Sequence, residues 1–179
     1  MNIAIIYSSI TGNTLSIAKH ISNELIKSEH KVKLVCSNNT PINYTEVLKG
    51  MDLCLIGFWT RKGYLDDFSV NTLSNIKNMN VAFFGTACAY PDSIHILKCK
   101  LKIAQETEKT TNKYLGIFMC QGRVPIKRTQ QRLSLEPSDP HYLDEAGLKR
   151  HMEARNHPNN EDFHQVHIWA SRIINHAKD

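Results

Sequence analysis

Ser9, Thr11, Gly12 and Thr14 share one short stretch, YSSITGNT, which runs from Tyr7 to Thr14. An apolar run, NIAII, precedes it, and an amphipathic helix pattern, LSIAKHISNELIK, follows it. A phosphate monoester needs this kind of surrounding. Backbone N–H groups at the positive end of a helix attract the anion. Hydroxyls supply neutral donors, and Gly12 lets the chain approach closely. Ile10 and Asn13 complete the loop. Ser and Thr also cap helices with no ligand present, so the loop alone leaves both readings open.

Other chemistries are declined on their residues. G-x-G-x-x-G and G-x-x-x-x-G-K-[ST] are both absent, which removes the dinucleotide fingerprint and the P-loop. A phosphate-accepting receiver domain would want acids after the first strand and an Asp ending the third. This chain has Tyr7-Ser8 and Gly57-Phe58 there. Glu161, His164 and His167 fall at helical spacing and read as a polar helix face, because a di-iron site needs several such segments; no metal is expected. Cys88 and Cys120 read as small hydrophobes. No Ser–His–Asp or Cys–His set falls on convergent strand ends, so no catalytic residue is assigned.

The elements that must position the loop alternate along the chain. Strands are expected at NIAIIY, KVKLVC, DLCLIGFW, NVAFFG and YLGIFMC, short apolar runs as in strands buried on both faces. Ile17, Ala18, Ile21 and Leu25 mark the first helix. YTEVLKG suggests one or two turns closed by Gly50. A short helix is expected from Asp67 to Ile76. Ile94, Leu97, Leu101 and Ala104 mark the next apolar stripe. Phe163, Val166, Ala170, Ile173, Ile174 and Ala177 mark the last. Strands alternating with helices argue for α/β: a doubly wound, five-stranded parallel sheet with order 2-1-3-4-5. Residues 121–160 break the rhythm with four prolines and no strand. They read as a helical insertion between the fifth strand and the last helix, with helices at IKRTQQRLSL and DEAGLKRHMEAR.

The chain has 179 residues, 41% hydrophobic and 22% charged, which suits one domain over 1–179. Five cysteines without a C-x-x-C pair fit free thiols in a reducing compartment. No leader or membrane-length apolar run is seen, so a cytoplasmic protein is expected, with no membrane partner. The net charge of +5 is too small and scattered to imply nucleic acid.

An apolar pair, an aromatic, then Ser9, Gly12, Thr14, Ala18 and Ile21 at these spacings resembles the FMN-binding signature of flavodoxins. That family is a standard example of this strand order, with FMN at the switch point between strands one and three. GFWTRKGYLDD, FGTACAYPDS and CQG look like a subgroup of small flavodoxin-like proteins from anaerobic bacteria. The resemblance implies a bound FMN. Its phosphate would lie on Ser9, Ile10, Thr11, Gly12, Asn13 and Thr14. Its ring would lie against Phe58, Trp59, Thr60, Gly63 and Tyr64 on one side, with Trp59 the first choice for stacking and Tyr64 the second. On the other side would be Thr86, Ala87, Cys88, Tyr90 and Asp92, with Tyr90 able to stack. The implied function is electron transfer to or from a partner flavin- or iron–sulfur-containing oxidoreductase, as a monomer or homodimer. The alternative is an FMN-dependent NAD(P)H:quinone or flavin-type reductase, with the insertion as a roof over its pocket. Two departures from the family stand out. Arg61 and Lys62 occupy the ring loop, where Asp66 and Asp67 only partly offset them. GRVPIKRTQQR is basic with no acid, either as a solvated helix face or as a docking patch for an acidic reductase.

Overall fold

The computed structural model describes residues 1–37 and 41–178. Five strands form one parallel sheet in the order β2-β1-β3-β4-β5. They are β1 Asn2–Tyr7, β2 Lys31–Cys36, β3 Leu53–Trp59, β4 Asn80–Ala87 and β5 Lys113–Gln121. Each expected apolar run is one of these strands. Successive side chains point to opposite faces, so each strand serves two cores. Ile3, Ile5 and Tyr7 lie in one core with Phe84, α1 (Asn13–Lys27) and α7 (Asn160–Lys178). Ala4 and Ile6 lie in the other with Phe58 and Phe83, facing α3 (Asp67–Asn75) and α4 (Ile94–Glu108). The short α2, Tyr44–Leu48, ends before Gly50, whose φ is +70°.

The expected faces of α1 and α7 are the buried ones: Ile17, Ala18, Ile21 and Leu25 in α1, and Val166, Ala170, Ile173 and Ile174 in α7. In α4 the stripe differs. Ile96, Cys99, Ile103 and Thr107 face the sheet, while Ile94, Leu97 and Leu101 are exposed. Both sets repeat at helical spacing, so the period alone does not choose the buried face. The Ser93 hydroxyl accepts the Ile96 N–H, and Ile96 turns inward.

The insertion is helical, as expected. α5 spans Ile126–Leu133 and α6 spans Glu145–Glu153, followed by a 3₁₀ turn at Ala154–Asn156. Its two ends meet: Arg123 N–H donates to the His157 carbonyl at 3.1 Å, and Arg123 Nε to the Arg155 carbonyl at 3.2 Å. No helix among the described residues is long and apolar enough to cross a membrane.

Candidate functional site

From β1 the chain runs to β2 on one side and, after α2, to β3 on the other, so the strand order reverses between the carboxyl ends of β1 and β3. Ligands of doubly wound sheets bind in such a crevice. The loop after β1 lies there. Gly12 precedes α1 at φ +84°, a left-handed conformation that favours glycine, and no side chain caps the helix at this position. Leu15 N–H donates to Ser9 Oγ at 3.2 Å and Ser16 N–H to the Gly12 carbonyl at 3.0 Å. The N–H groups of Ile10, Thr11, Gly12, Asn13 and Thr14 have no acceptor among the described residues. A row of unpaired donors at a helix N-terminus is an anion cradle.

The Thr14 hydroxyl already has protein partners. It is buried, and its hydroxyl bonds the Phe58 carbonyl at 3.3 Å and the Thr86 hydroxyl at 3.0 Å. It ties the start of α1 to the ends of β3 and β4. Asn13 Nδ2 donates to Thr11 Oγ1 at 2.8 Å and to the Arg123 carbonyl at 2.9 Å. The latter bond joins the cradle to the base of the insertion. A Cβ at Gly122 would lie 2.8 Å from Asn13 Nδ2 and 3.1 Å from Thr86 Cβ. Gly122→Ala is therefore expected to cost about 1–3 kcal/mol of stability by overpacking. In an Asn13→Ala background the cost is expected to shrink, as a double-mutant denaturation cycle would show. Equal costs in both backgrounds would rule out this contact as the cause.

The loop after β3 is stiffer than its composition suggests. Arg61 and Tyr64 exchange both backbone hydrogen bonds at 3.0 Å, with Lys62 at φ +51° and Gly63 at φ +70° between them. Two positive-φ residues in such a tight turn match the twist of a hairpin. Asp66 supports the loop from below. Its carboxylate accepts from Ser8 Oγ at 2.7 Å, Ser69 Oγ at 2.8 Å, and the N–H groups of Phe68 and Ser69. It therefore serves as a buried cap for α3 and is unavailable to balance the ring-loop cations. Asp67 is the acid that does so, paired with Arg61.

These loops and the insertion enclose one cleft of about 940 Å³. Among the expected site residues, Ile10, Thr11, Asn13, Thr14, Trp59, Thr60, Gly63, Thr86, Ala87, Cys88 and Tyr90 line it. Ser9, Gly12, Phe58, Tyr64 and Asp92 do not. Ser9 and Gly12 shape the cradle, Phe58 is a core residue, Lys102 covers the Tyr64 ring at 4.5 Å, and Asp92 is exposed on the loop before α4. The loop after β4 is fastened to its neighbours. Gln121 Nε2 donates to the Cys88 carbonyl, Gly122 N–H to the Ala87 carbonyl, and the Tyr90 hydroxyl to Glu153 of α6.

The basic segment supplies the opposite wall. Thr129 of α5 and His151 of α6 are both buried, and Thr129 Oγ1 lies 3.0 Å from His151 Nδ1. This contact holds Arg128, Arg132 and Arg150 over the cleft. Burial pushes the Cys88 thiol up, opposed by the nearby positive charges of Arg150, Arg132 and Arg128. Burial also lowers His151, and Arg132, Arg150, Arg128 and Arg155 lower it further. The helical spacing of Arg128 and Arg132 is visible in the sequence, but the fold-back that aims them inward is not.

A doubly wound sheet with an anion cradle at its switch point, flanked by an aromatic-bearing hairpin, belongs to the class of proteins that hold a phosphorylated heterocycle. The comparisons narrow that class. A flavodoxin-domain family model matches residues 4–171. The flavodoxin-like domain-containing protein BilS of Clostridioides difficile (strain CD3) is 31% identical over 177 residues, 97% of each chain. Among solved structures, flavodoxin 2 of Bacillus cereus aligns with a TM-score of 0.61 at 20% identity, covering 98% of this chain and 99% of that one. Rubredoxin oxygen:oxidoreductase from the anaerobe Desulfovibrio gigas aligns with a TM-score of 0.59 at 13% identity, covering 99% of this chain and 36% of that one. The chain belongs to the flavodoxin family, and its cofactor is FMN. The donor set fits that group: unpaired N–H groups suit a terminal phosphate, and Trp59 offers a flat apolar surface beside them.

Proposed function

We propose that this FMN-binding redox protein is an electron carrier that exchanges electrons with a partner flavin- or iron–sulfur-containing oxidoreductase in the cytoplasm. The observation that carries this reading is the row of unpaired N–H groups from Ile10 to Thr14 on the same cleft as Trp59. The phosphate is held by those N–H groups, with Ser9 and Thr11 shaping the loop. The ring lies against Trp59, with Thr60 and Gly63 on one side and Thr86, Ala87, Cys88 and Tyr90 on the other. When bound, FMN supplies one- and two-electron chemistry. The chain's residues fix the ring's orientation and limit water around it. Trp59 fluorescence is expected to be strongly quenched when FMN binds and to recover on its release. Trp169, on α7, is the internal comparison. Quenching that survives Trp59→Phe intact would remove Trp59 from the ring contact.

One observation favours the reductase reading instead: α5 and α6 fold over the cleft and enclose space above the expected ring position. The visible spectrum of the FMN-loaded protein decides between them. As a carrier, the protein keeps its oxidised flavin absorbance with anaerobic NADH or NADPH and loses it with dithionite. Rapid bleaching by either nucleotide alone would replace the carrier reading with the reductase one.

A further inference from the structure

The cleft is lined by six Arg or Lys side chains and by no Asp or Glu among the described residues. Two of the six are accounted for. Arg61 is paired with Asp67, and Arg123 donates to the Arg155 carbonyl. Arg128, Arg132 and Arg150 form no ion pair among the described residues, and Arg132 and Arg150 are half-buried. Glu153, the acid of α6 nearest this group in sequence, is engaged by the Tyr90 hydroxyl.

This arrangement is unfavourable for an empty fold. Arg128 and Arg132 are one turn apart on α5, where like charges repel. The Thr129–His151 contact brings α6 and Arg150 against them, and all three cations act on both Cys88 and His151. Partly desolvated guanidinium groups call for a counter-charge. Their planar forks suit carboxylate or phosphate oxygens. The walls beside them are apolar at Val124 and Pro125.

We infer that the roof of this cleft is a second binding site, built on α5 and α6, for a small organic molecule carrying two or more carboxylate or phosphate groups. The molecule rests its anionic groups on Arg128, Arg132 and Arg150 and its body on the apolar wall, facing the flavin. The inference rests on the cofactor placement above and deepens it by naming the chemistry of what meets the ring. A small molecule is favoured over a protein because the site is concave. The whole cleft, cofactor site included, has a volume of about 940 Å³, near the upper end of the roughly 300–1,000 Å³ range of ligand pockets.

The test uses the FMN-loaded full chain and isothermal titration with citrate, pyrophosphate and acetate, in low and high salt. The wild type is expected to bind citrate or pyrophosphate, more weakly as salt rises, and to ignore acetate. The tighter of the two names the group the site reads. The double variant Arg132→Gln/Arg150→Gln is expected to lose at least about tenfold in that affinity. Its flavin spectrum and FMN dissociation constant are expected to stay unchanged. Failure of both anions to bind the wild type overturns the inference while leaving the FMN site intact. So does equal binding by the double variant. Loss of FMN from the double variant would assign these arginines to the cofactor's own phosphate and overturn both placements. A polyglutamate peptide that binds in an arginine-dependent way while both small anions fail would make the roof a protein-docking face instead.

Discussion

FMN is expected to bind this protein at least about a hundredfold more tightly than riboflavin. The two ligands differ only in the phosphate, and the cradle that receives it is made of main chain. Five consecutive N–H groups, from Ile10 to Thr14, lack an acceptor among the described residues. A hydrogen bond to a charged group contributes about 1.5–3 kcal/mol, and about 1.4 kcal/mol is a factor of ten in affinity. Two such bonds already account for the expected ratio, before the favourable field at the start of α1 is counted. Because the donors are main-chain groups, side-chain truncation in the loop is expected to leave the ratio nearly untouched. Thr14→Ala is the informative case. Its hydroxyl is committed to Phe58 and Thr86, so its loss is expected to lower stability by about 1 kcal/mol and to weaken FMN and riboflavin alike. Fluorescence titration of both ligands measures the ratio directly. Comparable affinities for FMN and riboflavin in the wild type would mean that the phosphate is not held in the cradle.

Asp66→Ala is expected to be the most destabilising polar substitution near the site, by about 3–5 kcal/mol. The side chain is 2% exposed and accepts four hydrogen bonds. Its removal strands the Ser8 hydroxyl, leaves Ser69 Oγ only its 3.4 Å bond to the Gly57 carbonyl, and uncaps α3. Loss of an N-cap alone costs about 0.5–2 kcal/mol, and each stranded buried donor adds about 1–3 kcal/mol before relaxation. For a chain of this size the melting temperature is expected to fall by roughly 6–20 °C. Asp66→Asn keeps the shape and one acceptor oxygen, so a much smaller loss is expected. Flavin affinity should follow in the same order, because Ser8 begins the cradle and Asp66 follows the Trp59 hairpin. A melting temperature unchanged by Asp66→Ala would show that the carboxylate contributes nothing to holding these two loops together.

The parts of this protein that were legible in its sequence are those encoded by local pattern. Five apolar runs and the residues between them lead to the sheet order, and the glycine and hydroxyls after β1 point to the cradle. The parts that were not legible depend on which neighbour a side chain meets. Thr14 is spaced like a phosphate donor, yet β3 and β4 end close enough to take its hydroxyl. Asp66 and Asp67 are adjacent and chemically identical, but one is a buried cap and the other a surface partner of Arg61. In α4, two stripes compete for the sheet, and packing in the core, which no helical period shows, buries Ile96, Cys99 and Ile103. The direction in which α5 folds is set by Thr129 meeting His151, residues 22 apart in the chain, which no helical period can reveal.

The two ends of the insertion are hydrogen-bonded to each other, through Arg123 with His157 and Arg155. A segment whose ends are fastened in this way is an exchangeable part. Closing such a loop costs only about 0.6 kcal/mol more for each doubling of its length, and the pairing of β5 with β4 holds the register of the sheet without it. Descendants of this chain, natural or engineered, can therefore lengthen, shorten or replace the stretch between Val124 and Ala154 while the flavin cradle stays put. Under this fold the roof is free to diversify faster than the floor.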